Sequence, residues 1–141
     1  MWPKVYQDRL SEWYALRVRC HNLALESCLA AVNQWWFATP WCAYSLHWDD
    51  RDLWPDPWQL LEEHRFCSLA RGLGIMYTLC LLDRADLQDA TLVEVGSDNL
   101  VQVADQKYIL NWAADCLVSN HDPRTNYPHR ITQQQLQKRL Q

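Results

Sequence analysis

Tryptophan is the residue that most constrains this chain. Nine of the 141 residues are Trp, and six of them fall between positions 35 and 58. Rings of this size are stable only in a core or an interface, because exposing them to water forfeits the free energy of burial. The same segment is acidic and interrupted by prolines, which favours an irregular path over a core. The candidates for core or protein–protein interface positions are Trp35, Trp36, Trp41, Trp48 and Trp54.

Exposed aromatic rings also build sugar sites and sites for unpaired bases. Such sites usually set amides or cations beside the rings. Here the neighbours of the rings are mainly Asp, as in the segment SLHWDDRDLWPD at 45–56. This pattern favours a core and a protein interface, and a small carbohydrate-binding module is kept as a further hypothesis.

Composition excludes several classes of function. Hydrophobic residues make up 49% of the chain, which is typical of one folded domain and not of a disordered chain. Only three residues are Gly, and no Gly-rich phosphate loop is present. The six Cys residues show no paired zinc spacing, and the acidic cluster of His47, Asp49, Asp50 and Asp52 lacks the spacing of a calcium loop. We therefore predict free thiols, no metal and no cofactor. No apolar run reaches the length of about 18 residues that a membrane span needs, so no membrane partner is predicted.

The first half of the chain has a helical pattern. Apolar residues recur at the helical period over 8–37, which predicts one long N-terminal helix. Asp56, Pro57 and Gln59 form a start signal for a second helix, with Asp56 as the N-cap. That helix is expected to end at 72–74, where two glycines lie.

The second half is predicted to form a sheet. The uninterrupted apolar run Ile75–Leu82 has the length of a fully buried strand. Further strands are expected over 91–95, 100–103 and 108–112, the last two as a hairpin. The fold class is therefore α+β: a long N-terminal helix, then a second helix packed on a small antiparallel sheet.

Charge divides the chain into two parts. Residues 1–121 carry 9 basic and 16 acidic residues, a net charge of −7. The remaining residues carry Arg124, Arg130, Lys138 and Arg139 against one Asp. An acidic body is a poor nucleic-acid binder, so no nucleic-acid partner is expected. We predict a single domain over 1–118 and an extended C-terminal arm over 119–141, whose basic residues are interface candidates for an acidic surface.

Residues 54–112 resemble the transglutaminase-like branch of the papain-like cysteine enzymes. The likeness rests on LARGLGIMYTL at 69–79, which is similar to the family's helix-to-strand junction, and on the hairpin NLVQVADQKYILNW at 99–112. The family's nucleophilic Cys lies at the N-terminal end of its helix, where the helix dipole lowers the thiol pKa.

The resemblance implies that the catalytic positions are replaced. A helix beginning at Pro57 puts Pro57 or Trp58 at the position of the nucleophile and leaves Cys67 about three turns further on. Asn99 stands at the family's His position and Asn111 at its Asp position. Asn cannot act as a general base. Cys67 is therefore a weak catalytic candidate that would need a distant His, such as His121, and a core thiol is favoured.

A second resemblance concerns the Trp-rich segment and the element after it. WWFATPWCAYSLHWDDRDLWPDPWQLL, followed by FCSLARGLGIMYTL, is similar to small structural proteins of tailed bacteriophage particles. It implies a virion component of the tail, baseplate or neck, assembled in the bacterial cytoplasm, whose partners are other virion proteins or copies of itself. The function predicted is a non-enzymatic assembly subunit. The alternative is a cysteine acyltransferase or peptidase with an atypical constellation.

Overall fold

The computed structural model describes residues 2–104, 107–114, 116–118 and 129–140, with the backbone alone at 116–118 and 139. Helices and a small antiparallel sheet share one core, so the predicted α+β class is confirmed. The helices are α1 (Tyr6–Cys20), α2 (Leu25–Phe37), α3 (Pro57–Leu61), α4 (Ser68–Leu82) and α5 (Gln133–Gln137). The strands are β1 (Thr91–Val95), β2 (Asp98–Val103), β3 (Tyr108–Ala113), β4 (Cys116–Val118) and β5 (Arg130–Thr132).

The N-terminal helix is not continuous. α1 ends at Cys20 and α2 begins at Leu25, so the single helix predicted over 8–37 is wrong. A helix of 30 residues would be about 45 Å long, longer than a core of this size can cover. The break lets α2 turn back against α1, and both helices then contact α4. Arg84 holds the turn, because its Nη1 donates to the carbonyls of Cys20 and Leu23 at 2.9 and 2.7 Å.

The start signal predicted at Asp56 is confirmed, but the helix that follows is short. Asp56 Oδ1 accepts the backbone N–H of Gln59 at 2.8 Å, and Gln59 Oε1 accepts the N–H of Asp56 at 3.0 Å. This capping box begins α3, which ends at Leu61 and does not continue to the glycines.

The apolar run Ile75–Leu82 is helical, not a strand, and belongs to α4. A helix buried on all sides shows no amphipathic period, so periodicity alone does not separate it from a buried strand. The two glycines lie inside α4 because its neighbours approach closely. A Cβ on Gly74 would lie 2.4 Å from Cζ3 of Trp36, and one on Gly72 would lie 2.8 Å from Cδ1 of Leu92.

The sheet has the strand order β4-β3-β2-β1-β5, and its neighbours run antiparallel. The hairpin predicted from residues 100–112 is confirmed, since Val101 pairs with Leu110 in β2 and β3. α4 packs on the sheet through β1, β2 and β3. The predicted arrangement of a helix on a small antiparallel sheet is therefore confirmed. The helix that packs on the sheet is α4, which includes the residues predicted to form a buried strand.

The described part of the C-terminal segment belongs to the domain. Residues 130–132 form β5, which pairs with β1, and the N–H of Gln133 donates to the carbonyl of Ala90 at 3.2 Å. Leu136 of α5 is fully buried against the core. The arm predicted over 119–141 is therefore wrong for this part, because its apolar residues complete the core. Residues 119–128 lie outside the described ranges.

In the part of the chain that the structure describes, no helix is both long enough and apolar enough to span a bilayer.

Candidate functional site

Cys67 is the N-cap of the central helix α4. Its backbone is extended, and its Sγ accepts the N–H of Ala70 at 3.5 Å, as an N-cap side chain does. Ser45 approaches from the Trp-rich segment and donates its hydroxyl to the same sulfur at 3.2 Å. The thiol therefore lies at the positive end of the helix dipole, 3% exposed, with donors around it.

These donors set the acidity of the thiol. Burial raises the pKa of Cys67, but hydrogen bonds from the Ser45 hydroxyl and from the backbone N–H groups of Ala70, Leu46 and Ser45 favour the thiolate. The donors outweigh the burial, and the pKa of Cys67 lies below its ordinary value.

This position corrects the predicted register of the site. α3 ends at Leu61 and a separate helix begins at Ser68, so the helix start that matters is at Cys67 and not at Pro57 or Trp58. The sequence contained a signal for it, because a residue whose side chain can accept a hydrogen bond stands just before a long apolar run. The strong capping box at Asp56 obscured that second start.

The two asparagines singled out from the sequence lie next to Cys67 in the fold. Asn111 Nδ2 donates to the carbonyls of Ser68 at 2.9 Å and Asn99 at 2.7 Å. The N–H of Asn99 donates to the Ser68 hydroxyl at 3.2 Å. Trp48 Nε1 donates to Asn99 Oδ1 at 2.7 Å. Both amide side chains therefore hold β2, β3 and the Trp-rich segment to the N-terminus of α4.

Asn111 also has a backbone role. Its φ of +69° lies in the left-handed region, which Asn tolerates better than most residues. Its N–H donates to Asn33 Oδ1 at 2.9 Å, and Asn33 Nδ2 donates to the carbonyl of Ala113 at 2.7 Å. This amide pair fixes the end of β3 against α2.

The fold brings two imidazoles to the cavity beside Cys67: His47, which belongs to the acidic cluster of the sequence, and His129, which the sequence did not single out. The Nδ1 of His129 lies 2.8 Å from a carboxylate oxygen of Glu94, and its Nε2 lies 3.8 Å from one of Asp49. Its ring stacks on Trp48 with an interplanar angle of 6°. Both ring nitrogens therefore face carboxylates, and the donor to the Cys67 sulfur is a hydroxyl. His121, the residue named from the sequence, lies outside the described ranges.

An open cavity of about 360 Å³ joins these groups. Its walls include Tyr44, Trp48, Cys67, Glu94, Asn99 and His129. The cavity gives a small group a path to the thiol. Within the described residues, the groups that donate to the sulfur are the Ser45 hydroxyl and backbone N–H groups, and they stabilise its anion.

Within the residues that the structure describes, no group of three or more His, Cys, Asp or Glu side chains is placed to hold a metal ion. Of the acidic cluster in the sequence, Asp49 faces His129 at 3.8 Å with its side chain 91% exposed.

The Trp candidates separate into two groups. Trp36, Trp48 and Trp54 are buried within the chain, so their rings are not available to a partner in this fold. Trp35 is half-buried beside Trp2, and Trp41 is 59% exposed. Of the basic candidates, Arg130 and Lys138 are exposed, whereas Arg124 and the side chain of Arg139 lie outside the described ranges.

Comparison of the chain with protein-family models, curated proteins and solved structures finds no match.

Proposed function

We propose that the protein is a non-enzymatic assembly subunit that acts by protein–protein contacts and keeps the framework of a cysteine enzyme without its catalytic partners. The observation that carries this proposal is the bonding of Asn99. It stands where the resemblance to transglutaminase-like enzymes requires a His, and its side-chain oxygen is occupied by Trp48 Nε1 at 2.7 Å.

The chemistry of an amide explains why this matters. A cysteine acyltransferase needs a base that takes the thiol proton and returns it to the leaving group. An Asn side chain does neither. Asn111, at the position of the family's Asp, gives its N–H groups to the carbonyls of Ser68 and Asn99 and so serves as a structural brace.

The resemblance of residues 35–61 and 66–79 to small structural proteins of tailed bacteriophages supports a place in a virion. The part proposed is the tail, baseplate or neck, assembled in the bacterial host cytoplasm. The partners proposed are other virion proteins or further copies of the chain. Exposed Trp41 and Tyr44 supply the aromatic surface that protein interfaces favour.

The test has two parts. Mass spectrometry of particles encoded by the same genome should find the protein at a fixed stoichiometry. Particles made with Cys67→Ser in place of the natural chain should assemble in equal number, because this account gives the thiol no chemical role. Absence of the protein from particles, or loss of assembly with a folded Cys67→Ser variant, would contradict the proposal.

One observation favours a second function, a thiol acyltransferase with a relocated base. Cys67 has a lowered pKa and shares its cavity with His129, which Glu94 orients at 2.8 Å. That function requires that the protein turn over a thioester or activated ester repeatedly. The turnover should then be lost in both Cys67→Ala and His129→Gln. A single acylation of Cys67 without turnover would support the assembly role.

A further inference from the structure

Arg71 is a buried cation whose terminal nitrogens form no hydrogen bond with the described part of the chain. It lies in the first turn of α4 and is 8% exposed. Its Nε contacts the Thr39 hydroxyl at 3.5 Å, the outer limit of a hydrogen bond. Among the residues that the structure describes, its two terminal nitrogens form no hydrogen bond, and the anionic group that attracts the guanidinium is the Cys67 thiolate.

Arg9, the other buried arginine among the described residues, shows what is missing. Arg9 donates to four backbone carbonyls, those of Pro3, Lys4, Leu61 and Glu63, at 2.7 to 3.3 Å. Arg84 donates to two carbonyls and forms an ion pair with Asp86 at 2.7 Å. Arg71 is comparably enclosed but leaves most of its five N–H donors unused.

Two aromatic rings frame the guanidinium of Arg71. Its central carbon lies 4.2 Å from the ring centroid of Phe37 and 5.4 Å from that of Trp41. Ring contacts of this kind stabilise the cation while leaving the N–H groups at the edge of its plane free to donate. Trp41 is 59% exposed, so this arrangement opens to the surface on its side.

The free donors match one kind of ligand. A guanidinium presents parallel N–H groups, and a carboxylate accepts two of them at once. A phosphate carries more charge and usually meets several donors, whereas Arg71 offers one cation. Arg and Trp are also the side chains that most often dominate the binding energy of protein interfaces.

We propose that Arg71, framed by Phe37 and Trp41, binds the side-chain carboxylate of an Asp or Glu on a protein partner. The carboxylate forms two hydrogen bonds with the guanidinium, and Trp41 packs over the pair. The identity of the partner as an assembly component rests on the proposed function, whereas the carboxylate site does not.

The site is testable in the isolated protein. N-acetylglutamate N-methylamide, which carries one carboxylate, is titrated into ¹⁵N-labelled protein at constant ionic strength. The Nε–H signal of Arg71 and the indole N–H of Trp41 should shift and saturate, while the buried indole of Trp13 stays unmoved. Sodium phosphate and sodium chloride are the comparison arms. No saturable shift, or a larger saturable shift with phosphate, would overturn the proposal.

A pair of variants separates binding from folding. Arg71→Met should abolish the Trp41 shift and leave Tm unchanged or higher, because a buried charge whose terminal nitrogens form no hydrogen bond is replaced by an apolar side chain of similar size. The matched control Arg9→Met should lower Tm by several degrees, since four carbonyls lose their donor. Trp41→Ala, at an exposed position, should keep the fold and weaken binding of the carboxylate at least threefold. If folded Arg71→Met binds the carboxylate as the natural chain does, the proposed site is wrong. If Arg71→Met does not fold, unchanged binding by Trp41→Ala would contradict the site instead.

Particle assembly then distinguishes the two proposals. If folded Arg71→Met enters particles as the natural chain does, the partner role of Arg71 fails and the assembly role stands. If the protein is absent from particles but binds the carboxylate probe through Arg71, the assembly role fails and the site stands.

Discussion

Trp36 donates its indole N–H to Thr78 Oγ1 at 2.9 Å in the centre of the core. Trp13 donates to the same oxygen, also at 2.9 Å, and the Thr78 hydroxyl donates to the carbonyl of Gly74 at 2.8 Å. One hydroxyl therefore satisfies two buried indoles from α1 and α2 and fastens both helices to α4. Buried polar groups of this kind are costly unless each has a partner.

Thr78→Val should destabilise the protein by about 3 kcal/mol. The change preserves shape but leaves two buried N–H donors without an acceptor, each at a cost of about 1–3 kcal/mol. Urea unfolding followed by tryptophan fluorescence measures the effect. Thr91→Val, at a half-buried strand position, is the control and should change stability by less than about 1 kcal/mol. Equal losses in the two variants would contradict the bridging role of Thr78.

Gly74→Ala should be more damaging than Gly96→Ala. A Cβ at residue 74 would lie 2.4–2.6 Å from three ring atoms of Trp36, which cannot move away because its indole is bonded to Thr78. We expect a loss of about 1–3 kcal/mol or more from overpacking. Gly96 has a φ of +64° and open space around it, so its Ala variant should lose about 1 kcal/mol through backbone strain alone. The reverse order would show that α4 and α2 are not this close.

Leu136→Ala should lower the free energy of unfolding by about 2–5 kcal/mol, the usual cost of emptying a buried leucine site. The loss should not depend on salt, because it is a packing effect. Leu53→Ala, at a side chain 78% exposed, is the control and should be nearly neutral. Wild-type stability in Leu136→Ala would show that the C-terminal segment does not complete the core, as the predicted arm requires.

Cys67 and Cys80 should react with iodoacetamide over different pH ranges. Donors to its sulfur lower the pKa of Cys67, whereas burial raises the pKa of Cys80 to about 11. Quantitative mass spectrometry of the native protein should give a midpoint for Cys67 below the ordinary thiol value of about 8.5 and one for Cys80 well above it. Coincident midpoints would mean that both thiols react through a common unfolded state.

The same shift has a consequence for stability. Because the pKa of Cys67 is lower in the folded than in the unfolded chain, its ionisation stabilises the fold fully above about pH 8.5. That contribution is lost as the pH falls through the folded pKa. The stability difference between the natural chain and Cys67→Ala should therefore narrow on acidification from pH 9 to 6, and a constant difference would contradict the assignment.

Local signals in the sequence predicted local structure well. The capping box at Asp56 and the β2–β3 hairpin follow from short-range chemistry, and both are present. The α+β class also followed, because helical and strand patterns are segregated along the chain. The position of Cys67 at a helix N-terminus was not predicted, since it depends on where α4 begins after an irregular segment.

The errors have a common physical cause. α4 is buried on every side, so its sequence lacks the period that identifies an amphipathic helix, and its glycines looked like a stop signal. These glycines allow Trp36 and Leu92 to approach α4 closely, and such tertiary contacts are not visible in the local sequence. Arg71 and His129 were missed for the same reason, because what distinguishes each is its surroundings: two rings for Arg71, and Glu94 with Trp48 for His129.

The proposal that Cys67 has an acidified thiol that no imidazole activates is tested most directly by the pH profile of its alkylation in three proteins. In Ser45→Ala the midpoint should rise, because the hydroxyl donor to the sulfur is removed. In His129→Gln the profile should superimpose on that of the natural chain, because both ring nitrogens face carboxylates. A midpoint that moves in His129→Gln and not in Ser45→Ala would show that an imidazole activates the thiol, and would contradict a non-enzymatic role.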